Sequence, residues 1–306
     1  MKFHCRILPL LLLLPLLWGC AGAPDSADDG IPVTDCTGEE RLLPEKPEDV
    51  VVLQASLADL WLTAGGSVTG VTDDAEERGL ATGEAVLVGP TKSPSVETIL
   101  SLKPKLVIYS PDIAGQAAAA EILRSAGIPL LPAKVDSFSD YLFHLKLFTT
   151  LTGNTNAYET CGEAVAAEIE AIRAAVPREG DAPRVLFLRA YSSGAKAKAT
   201  EHLVCDILTE LGAVNIAASE TSLLENLSLE VIAREDPDYI FVVTMGSDEH
   251  AAIERLEETL FSQPLWQSLT AMEEGRLVYL PRELFHYKPN ARWAEAYDYV
   301  FQIHYP

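Results

Sequence analysis

Ser95-Val96-Glu97-Thr98-Ile99-Leu100-Ser101-Leu102-Lys103-Pro104-Lys105-Leu106-Val107-Ile108 holds the start of a helix, its end and the strand that follows. Ser95 can accept a hydrogen bond from the free amides of the first turn, Glu97 suits the positive end of the helix, and Pro104 stops it from continuing. The apolar run Leu106 to Tyr109 then reads as a strand. The same design returns in Ser228-Leu229-Glu230-Val231-Ile232-Ala233-Arg234-Glu235-Asp236-Pro237-Asp238-Tyr239-Ile240-Phe241. Each copy has a Ser cap, an apolar residue, a Glu at the second helical position, an Ile two further on, and a Pro ahead of a strand. Helix punctuation accounts for most of this echo. Its recurrence also gives two parts of the chain one equivalent protruding carboxylate each, Glu97 and Glu230.

Outward from the first copy, short β-branched runs alternate with helical stretches. Strands are expected at Val50 to Leu53, Val68 to Val71, Ala85 to Val88 and Pro129 to Leu131. Helices are expected at Leu57 to Thr63, Val96 to Leu102 and Gln116 to Ser125, the last closed by Gly127. Around the second copy the spacing predicts strands at Val185 to Leu188, Tyr239 to Val243 and Leu277 to Tyr279, with a helix from Glu201 to Leu211 ended by Gly212. This alternation predicts an α/β fold of two lobes, 47–155 and 177–306, each with a mainly parallel sheet covered by helices. Between them, Tyr158, Cys161, Val165, Ile169, Ile172 and Val176 recur at steps of three and four, so 156–176 reads as one linking helix with a buried stripe. At 1.5 Å per residue it would be about 31 Å long. A single helical connector is stiffer than several strand crossovers, which predicts a small hinge motion rather than a wide clamp.

The 306 residues include 45 acidic and 23 basic side chains, a formal charge of -22. Such a surface is repelled by a phosphate backbone, which argues against nucleic-acid binding. At 48% hydrophobic residues the chain can bury a real core. Lys2 and Arg6 precede an apolar run from Ile7 to Trp18 that is too short to cross a bilayer but suits a signal peptide over 1–19. The run ends in Leu17-Trp18-Gly19-Cys20, which resembles the bacterial lipoprotein box, with Trp18 bulkier than the small residue usual there. Cys20 is then the lipidation site, and 20–46 is expected to be a flexible tether, beginning with the small, polar run Ala21 to Gly30. Of the remaining thiols, Cys36, Cys161 and Cys205 show no zinc spacing and allow at most one disulfide, whose pairing stays open.

Enzyme motifs are mostly missing. The chain has no Gly-x-Ser-x-Gly elbow, no His-Glu-x-x-His pair and no Gly-x-Gly-x-x-Gly loop. Ser193-Gly194-Ala195-Lys196 fits Ser-x-x-Lys, which leaves a tethered serine hydrolase using Ser193 and Lys196 as a distant alternative, yet its companion motifs are absent. Positive and aromatic side chains instead gather after strand ends, where ligands bind in open α/β sheets. Arg189, Tyr191, Lys196 and Lys198 follow one strand, and Arg282, Phe285, His286, Tyr287, Lys288, Asn290, Arg292 and Trp293 follow another. Lys92 and Ser110 occupy similar places in the first lobe. Core packing is the competing reading for Phe285 and Trp293, and a solvated surface role for Lys198 and Arg292. Gathered in one cleft, these groups favour a planar or aromatic ligand bearing negative charge. The histidines show no metal spacing, but His286 beside Tyr287 offers the imidazole and phenol that an iron complex accepts as ligands.

These residues resemble the solute-binding lipoproteins of ABC importers for ferric siderophores, haem and cobalamin. The resemblance runs from Pro47 to Pro306 and is strongest at Val50 to Leu62, Gly89 to Ser110, Ser228 to Val242 and Gly275-Arg276-Leu277-Val278-Tyr279. It implies two α/β lobes joined by one long helix, a ligand cleft between them, and no enzymatic activity. It also implies a protein held by lipid at the outer face of the cytoplasmic membrane that hands its cargo to a permease dimer with ATPase subunits. Glu97 and Glu230 stand where that family carries the glutamates that dock onto permease arginines. The cargo it implies is a metal chelate. The cationic, tyrosine-bearing loops favour a ferric siderophore, with haem next, through Tyr191, His286 or Tyr287, and a corrinoid third.

Overall fold

The computed structural model describes residues 30–246 and 248–305. The signal segment, Cys20 and the first part of the expected tether lie outside the described residues. The rest of that tether is a correction. Residues 30–44 form an antiparallel hairpin, β1 (Gly30–Thr34) and β2 (Glu40–Pro44), in the register Gly30↔Pro44. Ile31, Val33 and Leu43 turn toward the core, and Leu43 is 2% exposed. The turn is organised by Asp35, whose carboxylate accepts from the Thr37 amide (2.7 Å) and hydroxyl (2.6 Å) and pairs with Arg41. The polar turn residues hide this alternation in the sequence.

In the first lobe β3 (Val50–Val52), β4 (Gly70–Val71), β5 (Val86–Leu87), β6 (Leu106–Tyr109) and β7 (Leu130–Pro132) form a five-stranded, all-parallel sheet in the order β5-β4-β3-β6-β7. The second sheet contains β8 (Arg184–Tyr191), β9 (Gly194–Ala197), β10 (Val214–Asn215), β11 (Tyr239–Thr244) and β12 (Leu277–Tyr279). Its parallel order is β10-β8-β11-β12, with β9 folded back antiparallel on the end of β8. The two orders superimpose conceptually: β3, β6 and β7 correspond to β8, β11 and β12. The two Ser-capped helices, Val96–Ser101 and Leu229–Glu235, therefore feed equivalent strands, β6 and β11.

Alternation along the strands sends side chains to both faces of each sheet. In the first lobe Val51, Leu53 and Val107 pack with Ile99 on one side. Val50, Val52, Leu106 and Ile108 face the other, in a cluster that continues through Tyr141, Phe148 and Trp293 to Val185, Phe187 and Phe241 of the second lobe. One apolar core thus crosses the lobe boundary. The connection is helical from Thr155 through a π turn, Glu159–Glu163, to Ala174. Gly162 lies in that turn, where a Cβ would come within 3.3 Å of Leu145 and Tyr158, so the bare backbone lets the connector sit close on the Phe138–Thr152 helix. On its other side it packs against the C-terminal helix Trp293–His304.

The two longest helices that the sequence expectation lacks are Phe138–Thr152 and Trp293–His304. Phe138–Thr152 is apolar on several sides and gives no single stripe, although Ser137 and Asp140 form a capping box. Trp293–His304 follows a loop rich in cations that draws attention to ligand binding. Cys36, Cys161 and Cys205 are all free thiols. Among the described residues no helix is long and apolar enough to cross a membrane.

Candidate ligand-binding cleft

The loops after the strand ends meet where the lobes face each other. Tyr287, from the loop after β12, lies between two guanidinium groups. Arg282 is centred 5.3 Å from its ring and Arg78, from the first lobe, 5.2 Å. Arg78 escaped the sequence reading because it closes an acidic run, Asp73-Asp74-Ala75-Glu76-Glu77, yet it follows the end of β4 just as the other candidates follow their strands. Its side chain is 11% exposed and 3.6 Å from Asp59, and burial lowers its pKa against the pull of Asp59 and Asp74.

His286 stacks at a tilt on Tyr287, 4.7 Å between centroids. Burial, then Arg282, Arg189, Arg78 and Lys288, push its pKa down to about 4. The imidazole is therefore neutral at physiological pH. His202, which caps the Leu203–Glu210 helix by accepting from the Val204 amide at 3.2 Å, is pushed to about 3 by burial, then by Lys288 and Arg189. The positive charge of the cleft comes from arginine and lysine alone.

These cations divide into committed and uncommitted groups. Arg282 is spent on structure: Nη1 donates to the Thr244 carbonyl and hydroxyl at 3.3 Å each, and Nη2 to the Gly246 carbonyl and the Tyr287 hydroxyl. Lys288 is also engaged, its ammonium 3.0 Å from Asp136, which Lys134 holds from the other side at 3.2 Å. By contrast, Arg78 Nη1, Arg189 Nε and His286 Nδ1 are buried polar atoms without a partner in the protein. Buried polar atoms in native structures are nearly always satisfied, so these three beside one another mark a place suited to a polar ligand.

Arg189 leads into an adjoining pocket of about 270 Å³ lined by Tyr191, Lys196, Lys198, Thr200, Glu201 and Leu224. Its guanidinium lies 5.6 Å from the Tyr191 ring centre, and Arg189 and Lys196 are cross-strand neighbours in the β8–β9 hairpin. Lys198 pairs with Glu201 at 3.7 Å. Ser193 sits at the hairpin turn. Ser193 and Lys196 thus lack the helical frame on which residues three apart share a face.

Several expected contacts are corrected. Phe285 is fully buried and packs on Tyr299 at 5.8 Å, because its ring belongs to the core beneath the loop. Trp293 is equally buried, against Phe138 at 5.6 Å. Ser110 is 6% exposed, and its amide donates to Gln116 Oε1 at 2.7 Å. That buried glutamine, unnoticed in the sequence, also donates to the Thr91 carbonyl at 2.9 Å and to that of Leu53, tying three strand-end loops together. Lys92 stands exposed on one of these loops. Glu97 and Glu230 are exposed at the second positions of their helices, which Ser95 and Ser228 cap by accepting from Thr98 (3.2 Å) and Val231 (3.5 Å).

Two α/β lobes, a helical connector and a cationic cleft with unpartnered polar atoms define a ligand-capture protein. The sequence profile described as Periplasmic binding protein matches residues 50–284, and the chain belongs to that family, whose members serve transport rather than catalysis. Similar proteins include YhfQ of Bacillus subtilis, which carries the name ABC transporter substrate-binding lipoprotein and is 23% identical over 97% of this chain and 96% of its own. The Fe(3+)-citrate-binding protein YfmC, also from B. subtilis, is 24% identical over 78% of this chain and 74% of its own. Among solved structures, Staphylococcus aureus SirA complexed with staphyloferrin B has the same fold, with a TM-score of 0.70, 17% identity, and coverage of 90% of this chain and 98% of SirA.

Proposed function

We propose that this protein is a lipid-anchored, extracytoplasmic binding protein that captures an anionic ferric chelate of the siderophore type and delivers it to an ABC importer. The observation that carries the reading is the set of uncommitted buried donors, Arg78 Nη1 and Arg189 Nε from opposite lobes, beside His286. A chelate bearing carboxylates would receive charge-assisted hydrogen bonds from both lobes at once. Anchoring through Cys20 agrees with the name carried by YhfQ, and ferric citrate is what the name of YfmC says it binds. In this reading Glu97 and Glu230 are the permease-docking pair, supported by their exposure on equivalent helices of the two lobes.

Haem is the second reading, favoured by one observation: a neutral imidazole with a free Nδ1 beside Tyr287 can serve as an iron ligand. Titrating the protein with ferric citrate, ferric siderophores, haemin and cobalamin while following tryptophan quenching tests both. A ferric chelate is expected to bind most tightly. A Soret band with haemin that is lost in His286→Ala would replace it with haem.

A further inference from the structure

The loop from His286 to Trp293 belongs by sequence to the second lobe, yet two of its polar side chains, Lys288 and Asn290, are bonded to the first. Lys288 Nζ reaches Asp136, in the loop after β7, at 3.0 Å, with the two side chains only 18% and 32% exposed. Asn290 is 2% exposed, and its Nδ2 donates to the Ser56 carbonyl at 3.0 Å and to Asp59 Oδ2 at 2.7 Å, both on the Ala55–Thr63 helix. Asp59 also receives Arg78, so one carboxylate serves a cleft cation and the crossing loop. The two residues that make these bonds have left-handed backbones, φ 72° at Lys288 and 48° at Asn290, on either side of a buried Pro289. Such conformations persist in residues other than glycine where surrounding contacts over-determine them.

We infer that Lys288–Asp136 and Asn290–Asp59/Ser56 form a clasp between the lobes that holds the cargo-free protein at one cleft width. Lys288 is then a positioning residue and not a cargo contact. Its ammonium is neutralised inside the protein, and Asp136, held by Lys288 and Lys134 against the cost of its burial, keeps a lowered pKa. Arg78 and the Arg189–His286 group would then face each other at a fixed spacing before any ligand arrives, sparing the chelate part of the ordering cost of binding.

The test is hydrogen–deuterium exchange on the cargo-free protein, comparing wild type with Lys288→Met, Lys288→Arg, Asp136→Asn and the double variant Lys288→Met/Asp136→Asn. The clasp predicts that either single loss raises exchange about fivefold on both sides of the boundary, in the Ala55–Thr63 helix and in the loop around Asn290, as expected for a half-buried ion pair. The double variant should be no worse than the singles, Lys288→Arg should restore protection, and the central strands β8 and β11 should stay protected. Effects confined to the mutated side, or multiplying in the double variant, would overturn the clasp. If a single variant also exposes β8 and β11, Asn290→Ser provides the independent cut, and unchanged exchange at both surfaces there overturns it equally. No cargo is used, so failure here leaves the proposed function standing.

Discussion

His304 ends the C-terminal helix among Tyr239, Phe241 and Tyr305, with neither ring nitrogen hydrogen-bonded. Burial pushes its pKa down to about 4, so the folded state favours the neutral ring. Between pH 6.5 and 4 the unfolded chain takes up a proton that the native protein refuses, and native stability contributed by this residue falls as the pH falls. Replacing it with phenylalanine removes that loss. His304→Phe should gain stability on wild type as pH drops, reaching about 2 kcal/mol by pH 4.5, measured as the difference in urea unfolding at each pH. A margin that does not change with pH would contradict the burial argument. In the cleft, neutral His286 and His202 leave the charge to arginine, so affinity for a ferric chelate should stay flat between pH 5.5 and 8. Arg189→Met should weaken it by roughly tenfold to a hundredfold, the loss of one charge-assisted contact.

At the scale of elements, the N-lobe rim depends on close approach. Gly115 opens the Ala114–Ser125 helix under the Lys92 carbonyl, where a Cβ would stand 1.9 Å from that oxygen. Gly115→Ala must push the Thr91–Lys92 loop away and strain its bond to Gln116. The expected outcome is a loss of about 1–3 kcal/mol in denaturant unfolding, as for other overpacked sites. Strands β3 to β8, β11 and β12 and the two Ser-capped helices were legible in the sequence because their signals are local: β-branched runs, a cap, and a Pro before the strand; the short β9 and β10 carry no such run. The β1–β2 hairpin was not legible, since only Ile31, Val33 and Leu43 betray it between polar turns. Arg78 was hidden by its acidic neighbours. Phe285 and Trp293 share a loop with Tyr287, which lies between Arg78 and Arg282, and only packing against Tyr299 and Phe138 marks them as core. Lys288 and Asn290 could not be understood from their own segment, because their partners Asp136 and Asp59 belong to the other lobe.

For the whole molecule, a local cluster of cations at the lobe boundary stands against a net acidic chain. Arg78, Arg189, Arg282 and Lys288 gather where the lobes meet, while Glu97 and Glu230 stand out on equivalent exposed helices. Reversing both, Glu97→Arg with Glu230→Arg, should abolish uptake in cells while leaving chelate affinity unchanged within about twofold, as expected when surface charges distant from a site are altered. Loss of chelate binding in that variant would remove the docking assignment. The most direct measurement is a tryptophan-quenching titration of wild type and Arg78→Met with ferric citrate and a ferric siderophore panel beside cobalamin. Tight binding of a ferric chelate that weakens at least about tenfold in Arg78→Met is the predicted result. Binding of cobalamin with no response to any ferric chelate, or ferric-chelate binding indifferent to Arg78, would contradict it.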